Sequence, residues 1–382
     1  PAVLEGLQAD LTAQGYDPAA VRAYLAEPNV SMLCMHETAG QKRITAIAAV
    51  KRVDSIDLLT TFGDQDIAAY IRSMAAGSIA VIGGLFFAAH STITNREQII
   101  LVEMLSELLA RDYTYVVYHP CHEAGLDEAL LRTVTKQGFR KISPGSGRPI
   151  YAVDMRSPVI IFKNTDTLIK HPLNKRPAVL AALEHAHDRL LRILTEIYPS
   201  ELVLSYSSEI MYHKMIHLIA RLNHVAPAPY AVKSYGKYMA VPFGKVLEGT
   251  AVPNTVTKAL HTEKYFYEDI SGFTIEERSY YSTLENQIRT IRSFNRPVIL
   301  VDDLLHKGYR MKEIDPILKA NGVVVADTVV GVQTGRGRDL MTLKERSVDS
   351  AYFLPNLKCW IDESALYPYI GGDSMKAKGM PV

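Results

Sequence analysis

The sequence predicts an α/β protein of two domains, the second built around a parallel sheet flanked by helices. The 382 residues exceed the length that one hydrophobic core usually organises. Apolar runs of strand length alternate with segments of helical period along the chain. Residues 298–301 are four consecutive apolar residues, a pattern typical of a central parallel strand that is buried on both faces.

The composition is that of a soluble globular protein, with 48% hydrophobic and 22% charged residues and a formal net charge of +1. This charge gives no reason to expect nucleic acid or an anionic membrane as a main partner. Three widely spaced cysteines, Cys34, Cys121 and Cys359, argue against a disulfide framework and for a reducing compartment. We therefore expect a cytoplasmic location, and leave open whether the chain forms a homodimer or is part of a longer protein.

Residues 73–95 contain no Asp, Glu, Lys or Arg. The segment is long enough to span a membrane as a helix. Its hydrophobicity is lowered, however, by glycines, His90 and several Ser and Thr residues. Its apolar centre, residues 79–89, has about half the length of a span. We predict a buried strand here and no membrane insertion.

Residues 1–158 form the first predicted domain, and residues 159–200 a helical connector. Strands are predicted over residues 31–36, 44–51, 79–87, 113–118 and 150–154, and helices over 67–74, 96–110, 126–137 and, in the connector, 178–197. This order resembles the acetyl-CoA-dependent acetyltransferase superfamily called GNAT, which implies a mixed sheet. The pyrophosphate loop of that family would fall at residues 90–96, which contain no glycine, so the close approach of a phosphate is harder there. The resemblance leaves open an acyl-CoA-dependent N-acyltransferase or a fold kept for packing or for another ligand.

Two histidine clusters in the sequence are candidate metal sites. His119, Cys121 and His122 offer three zinc ligands, whereas zinc requires four. His213 and His217 have zincin spacing, but Lys214 stands where that motif needs its glutamate. We predict no protein-held metal centre.

The most specific candidate site lies in the second predicted domain, residues 201–382. Asp302 and Asp303 follow the apolar run, and a five-residue loop containing Gly308 leads into a helical pattern. A helix start suits a phosphate, and adjacent carboxylates suit the hydroxyls of a diol or a hydrated cation. The pattern thus favours a ribose 5-phosphate ligand, with a plain strand cap and βα turn as the alternative.

The segment VILVDDLLHKGYR resembles the signature of the type I phosphoribosyltransferases. The resemblance implies that Asp302 and Asp303 bind the ribose hydroxyls of phosphoribosyl pyrophosphate and take part in catalysis. It also implies that a loop binds the 5-phosphate, here formed by His306, Lys307, Gly308, Tyr309 and Arg310. Two loop threonines of the family are replaced by Lys307 and Arg310. Mg²⁺ is expected to accompany the pyrophosphate of the substrate.

Three further segments complete the predicted site. Residues 244–250, with Lys245, are the candidate pyrophosphate contact, although a plain turn is the alternative. Residues 261–281 are the candidate mobile lid. Arg336 and Arg338 follow the next apolar strand and would direct guanidinium groups at the same ligand, with a solvated basic turn as the alternative. Transfer of a phosphoribosyl group is the expected activity, with a non-catalytic nucleotide sensor and an inactive scaffold as alternatives.

Overall fold

The computed structural model describes residues 8–13, 15–37, 43–89, 91–119, 128–143, 149–165, 169, 172–229, 235–247, 249–269 and 271–366. The described chain divides into two compact units. The first unit comprises the residues up to Tyr206 and those from Leu357 onward, and the second unit is Ser207–Asn356. A mixed sheet and a separate all-parallel sheet, each accompanied by helices, confirm the predicted fold class.

The first unit is organised by an eight-stranded sheet of order β1-β2-β3-β4-β6-β15, with β5 and β7 also paired to β6. Its strands are β1 (Val30–Glu37), β2 (Arg43–Val53), β3 (Ser78–Phe87), β4 (Tyr113–Tyr118), β5 (Arg140–Lys141), β6 (Tyr151–Lys163), β7 (Glu201–Ser207) and β15 (Cys359–Asp362). Its helices are α1 (Gln8–Ala13), α2 (Pro18–Leu25), α3 (Leu58–Phe62), α4 (Gln65–Met74), α5 (Arg96–Ala110), α6 (Glu128–Lys136) and α7 (Pro177–Ile197). The first three strands are antiparallel, whereas β3 and β4 run parallel on either side of the α5 crossover.

The uncharged segment at residues 73–95 contains β3, in which nine of ten residues are buried. Burial on both faces explains why this strand lacks charged residues. Among the described residues, no helix is long and apolar enough to cross a membrane.

The division into units differs from the boundaries predicted from the sequence. Strand β6 runs without interruption across residue 158, where the first domain was predicted to end. Helix α7, predicted to be a connector, buries Leu191 and Leu194 in the same core cluster as Val159 and Val203. Strand β15 pairs in parallel with β6, so the described residues after 356 return to the first unit.

A buried polar network fastens this returning segment. His187 Nδ1 lies 2.9 Å from Glu363 Oε2, and His187 Nε2 lies 3.0 Å from Ser205 Oγ. His187 and Glu363 are each 1% exposed. Buried polar groups that satisfy each other are costly to separate. Although a serine, a histidine and a carboxylate are aligned, their burial leaves no access for a substrate, and we assign the network a structural role.

The second unit is built around a five-stranded parallel sheet of order β14-β13-β12-β8-β9. Its strands are β8 (Met239–Pro242), β9 (Val256–Thr257), β12 (Val298–Leu305), β13 (Val325–Thr334) and β14 (Val348–Leu354), and β10 (Thr262–Phe266) and β11 (Phe273–Glu277) form a separate hairpin. Its helices are α8 (Ser208–Asn223), α9 (Leu284–Ser293), α10 (Tyr309–Ala320) and α11 (Gly335–Leu343). The central strand β12 begins with four residues that are at most 1% exposed, as the sequence predicts.

Candidate functional site

The acidic pair lies inside β12 rather than after it. The strand continues through Asp302 and Asp303 to Leu305. Strands β8 and β13 both pair with β12 in parallel, so their carboxyl ends meet at the same edge of the sheet. In open parallel sheets this edge is the usual place for a ligand.

Gly308 makes the turn from β12 into α10. Its φ of 71° is in the left-handed region, and it precedes the helix without a side-chain cap. A Cβ at this position would lie 1.9 Å from Cδ2 of Leu340, so both the backbone and the packing require glycine. The predicted loop is therefore shorter than expected, because Tyr309 and Arg310 already belong to the helix. A helix start without a side-chain cap suits an anion.

Asp302 is paired internally. Its Oδ1 accepts hydrogen bonds from Nη1 of Arg310 at 2.5 Å and from the backbone N–H of Asp303 at 2.9 Å. Asp302 is only 2% exposed. Its carboxylate is therefore not open to a ribose hydroxyl in this conformation.

Arg310 turns back over the end of the sheet instead of lining a phosphate loop. Its Nη2 donates to the Phe243 carbonyl, and its Cζ lies 4.6 Å from the centroid of the Phe243 ring. This direction follows from helix geometry, since side chains in the first turn lean toward the helix N-terminus. Arg310 thus joins the start of α10 to the ends of β12 and β8.

Asp303 organises the turn that leaves β8. Its two carboxylate oxygens accept the backbone N–H groups of Lys245, at 2.6 Å, and of Val246, at 2.9 Å. Gly244 passes so close that a Cβ there would lie 2.6 Å from Oδ1 of Asp303. The predicted segment at residues 244–250 therefore meets the acidic pair through its backbone, while residue 248 lies outside the described residues.

Burial and, second, the neighbouring charge of Asp302 raise the pKa of Asp303 to about 6, after the lowering effects of the two backbone donors and of Arg310 are included. This carboxyl group is consequently easier to protonate than an ordinary aspartic acid. The acidic pair carries less negative charge than two isolated carboxylates would.

Lys264 is a cation of the site that the sequence did not identify. Burial lowers the pKa of Lys264, and the charges of Arg310 and Lys245 lower it further, while Asp302 and Asp303 act in the opposite direction. Its Nζ lies 5.2 Å from the centroid of the Phe273 ring. The residue comes from the β10–β11 hairpin, which occupies most of the segment that was predicted as a mobile lid. No local pattern marks it, because Lys264 and the acids lie about forty residues apart in the sequence and interact only in the folded chain.

A second group of basic residues surrounds the β12–α10 connection. Burial lowers the pKa of His306, and the charges of Lys307 and Arg336 lower it further. Thr334 links this connection to the start of α11, because its hydroxyl donates to the His306 carbonyl at 2.7 Å and accepts from the N–H of Gly337 at 3.2 Å. The structure therefore brings Arg336 to the predicted loop.

Arg338 and Tyr309 are placed differently. Arg338 lies over the ring of Phe353, 4.6 Å from its centroid, and Phe353 belongs to β14, on the far side of β13 from β12. The predicted pair of guanidinium groups thus separates, since residues two apart on a helix face different directions. Tyr309 is 54% exposed at the start of α10.

The acidic pair does not fit a directly held Mg²⁺. The guanidinium of Arg310 already contacts Asp302, and both oxygens of Asp303 accept backbone N–H groups. Within the described part of the chain, no group of three or more His, Cys, Asp or Glu side chains is arranged to hold a metal ion. Of the first histidine cluster, residues 120–127 lie outside the described residues.

In the first unit, the parallel pairing of β3 with β4 covers Ser78 to Ile82 and stops there, although β3 continues to Phe87. Asn95, with φ 54°, precedes α5 without a side-chain cap. The side chain of Arg96 donates to the Ala88 carbonyl. His90, at the start of the predicted pyrophosphate loop, lies outside the described residues.

No protein-family model matches the chain, and no curated protein sequence matches it. Among solved structures, the ribosomal-protein-S18-alanine N-acetyltransferase from Escherichia coli is 11% identical over 36% of this chain and 77% of that one, with a TM-score of 0.25. An agmatine N-acetyltransferase is 13% identical over 40% and 94%, with a TM-score of 0.28. The adenine phosphoribosyltransferase from Thermoanaerobacter pseudethanolicus is 12% identical over 37% and 80%, with a TM-score of 0.22.

Proposed function

We propose that the second unit binds a phosphoribosyl compound, either phosphoribosyl pyrophosphate or a nucleoside 5′-monophosphate, and transfers its phosphoribosyl group. The observation that carries this proposal is the arrangement at the end of β12. An acidic pair at the end of a buried central strand is followed, through Gly308, by a helix without a side-chain cap. The ligand has the same order of groups, with a diol next to a phosphate.

The 5-phosphate would bind the first turn of α10. The backbone N–H groups there are joined by the side chains of Lys307 and Arg336 next to His306. A unit charge pair about 4 Å apart, at an effective dielectric constant of about 20, contributes roughly 4 kcal/mol before desolvation. The charge of Lys307 would thus replace the phosphate contact that a threonine hydroxyl makes in type I phosphoribosyltransferases.

The ribose would bind Asp302 only after Arg310 has moved. Because Oδ1 of Asp302 holds Arg310 in this conformation, a ribose hydroxyl must displace the guanidinium. The released Arg310 would then join Lys245 and Lys264, the cations that share the electrostatic environment of the acids. Three cations are suited to the negative charge of a departing pyrophosphate.

In the transfer, the bond from ribose C1 to the pyrophosphate oxygen breaks, and the pyrophosphate leaves with the electron pair. A nucleophilic acceptor then bonds to C1 and loses its proton to solvent. The residues contribute by positioning and charge stabilisation. Mg²⁺ would arrive with the pyrophosphate of the ligand, and we assign the acids no role as its direct ligands.

Calorimetric titration with phosphoribosyl pyrophosphate and with AMP tests the proposal. Each is expected to bind, and Lys307→Ala is expected to weaken binding about tenfold, because a charge-assisted phosphate contact is worth 1.5–3 kcal/mol. Lys319→Ala, which removes an exposed lysine near the opposite end of the same helix, is the matched control. If neither phosphoribosyl pyrophosphate nor AMP binds, the proposal is wrong. Binding without release of pyrophosphate across a panel of bases would leave a sensor instead of a transferase.

A second candidate, acyl transfer from acetyl-CoA by the first unit, is favoured by one observation. Strand β4 ends at Tyr118, the partner of Ile82, while β3 continues to Phe87, so the last residues of β3 before α5 have no described partner in β4. Acetyl-CoA titration of the full chain tests this candidate, and heat that is unchanged by Lys307→Ala would assign the binding to a different site from the phosphoribosyl ligand.

A further inference from the structure

The first unit contains a groove of about 490 Å³ between α6 and α7. Its lining is mainly basic. Five Lys or Arg side chains line it, namely Arg132 and Lys136 from α6, Arg140 from β5, and Arg189 and Arg192 from α7. Two carboxylates, of Asp188 and Glu196, oppose them. The groove therefore holds more positive than negative charge.

The register of α7 produces one side of this groove. His185, Arg189, Arg192 and Glu196 recur at intervals of three or four residues and so share one face of the helix. The opposite face buries Leu183, Leu191 and Leu194. Because the apolar face is fixed against the core, the charged face is held toward the groove.

Some of the cations are fixed in place by internal contacts. Lys136 Nζ lies 2.7 Å from Oδ1 of Asp188, which links α6 to α7. Arg140 donates to the Thr195 carbonyl. By contrast, the side chains of Arg189 and Arg192 make no hydrogen bond or ion pair with any residue that the structure describes.

Helix dipoles do not account for this charge. A cation gains from the dipole in the last turn of a helix, and Lys136 has that position in α6. The last turn of α7, however, contains no basic residue, so Arg189 and Arg192 lack this stabilisation. Both cations of α6 are paired with carboxylates, Arg132 with Glu128 and Lys136 with Asp188. The uncompensated positive charge of the groove therefore comes chiefly from Arg189 and Arg192, whose mutual repulsion a bound anion would offset.

We propose that this groove binds the polyphosphate group of a small molecule, such as a nucleoside diphosphate or triphosphate. Its volume is in the range of small-molecule sites, about 300–1,000 Å³. Guanidinium groups match phosphate oxygens with two parallel hydrogen bonds. A formal net charge of only +1 for the chain favours a compact anion over a long nucleic acid, whose binding depends on many phosphate contacts.

The experiment uses inorganic tripolyphosphate as the probe and the full chain carrying Lys307→Ala/Arg336→Ala, which removes side chains of the second unit's proposed phosphate site. Calorimetry at about 0.05 M salt limits screening. Adding Arg189→Ala/Arg192→Ala is expected to raise the Kd about a hundredfold, since two charge-assisted contacts are lost. Adding Arg22→Ala/Arg52→Ala, which removes two exposed arginines of the first unit, is the matched control and is expected to leave the Kd unchanged.

Hydrogen exchange locates the bound probe. Tripolyphosphate is expected to slow exchange in peptides covering residues 128–136 and 185–197. An unchanged Kd in Arg189→Ala/Arg192→Ala, or protection confined to other peptides, overturns the proposal. Arginine-dependent binding of a single-stranded RNA that persists at 0.15 M salt, where tripolyphosphate no longer binds, also overturns it, because the occupant would then be a nucleic acid. Failure of phosphoribosyl pyrophosphate to bind would not affect this result, since the chain tested already lacks Lys307 and Arg336 and the decisive residues, Arg189 and Arg192, belong to the first unit.

Discussion

Arg310 and Asp302 form an ion pair that fastens the first turn of α10 to the end of β12. The side chain of Asp302 is 2% exposed and that of Arg310 is 21% exposed. The pair has two consequences: it stabilises this conformation, and it occupies Oδ1 of Asp302, the atom that we propose as a ribose contact.

Breaking this pair should destabilise the chain. We expect Arg310→Ala and Asp302→Asn each to lower the free energy of unfolding by about 3 kcal/mol, because each leaves a buried polar partner unpaired. The double variant should lose less than the sum of the two, with a coupling energy of about 1 kcal/mol or more. Urea denaturation gives the free energy of unfolding of the native chain, the two single variants and the double variant. The exposed pair Arg289–Glu285, at 69% and 70% exposure, is the control cycle, for which we expect about 0.5 kcal/mol or less.

The pH dependence of stability should report Asp303. Its pKa is raised from 3.8 to about 6 in the folded chain. Between these two pH values the folded state therefore holds a proton that the unfolded state has released. The stabilisation from this group is complete below pH 3.8 and is lost as the pH rises through 6. Unfolding free energies of the native chain and of Asp303→Asn, compared from pH 4 to 7, should therefore diverge, with the native chain losing relative stability as pH rises. A constant difference across this interval would contradict the assignment.

Gly308 should not tolerate alanine. We expect Gly308→Ala to cost more than the 1–2 kcal/mol of left-handed strain, because its Cβ would also overlap Leu340. Gly249→Ala is the matched control, since Gly249 has φ 77° with no neighbouring atom within 4 Å of the added Cβ. Thermal unfolding of both variants measures the difference. The combination Gly308→Ala/Leu340→Ala should recover the part due to overlap, and equal losses for the two single variants would show that packing at Gly308 is unimportant.

The His187 network should hold the returning segment in place. We expect His187→Ala to lower stability by about 3 kcal/mol, because Glu363 and Ser205 lose their buried partner. Hydrogen exchange in residues 359–366 should also accelerate. His185→Ala, on the exposed face of the same helix, should change neither quantity. Unaltered exchange in that segment with His187→Ala would mean that β15 pairing alone retains it.

The features of the site that could be predicted from the sequence are those formed by consecutive residues. Four apolar residues mark the buried strand, and Gly308 between polar residues marks the turn into a helix. The contacts made by individual side chains were harder to predict from the sequence. Arg310 was predicted to face a phosphate, but its position two residues into the helix lets it reach back to Asp302. The direction in which helical side chains lean was the one available signal for this contact.

Contacts between distant segments were not predictable. Lys264, in the β10–β11 hairpin, interacts through its charge with Asp302 and Asp303 about forty residues later. Residues Cys359 to Asp362 pair with a strand about two hundred residues earlier. Neither contact leaves a periodic pattern in the sequence. The charge of Asp303 also depends on burial and on Asp302, which a sequence does not display.

A crystal structure of the chain with AMP tests the central claim most directly. We predict the 5-phosphate at the N–H groups of the first turn of α10, next to Lys307, with a ribose hydroxyl on Asp302 and with Arg310 displaced from that carboxylate. A nucleotide bound elsewhere, or bound with the Arg310–Asp302 pair intact and the ribose distant from both acids, would contradict the proposed site.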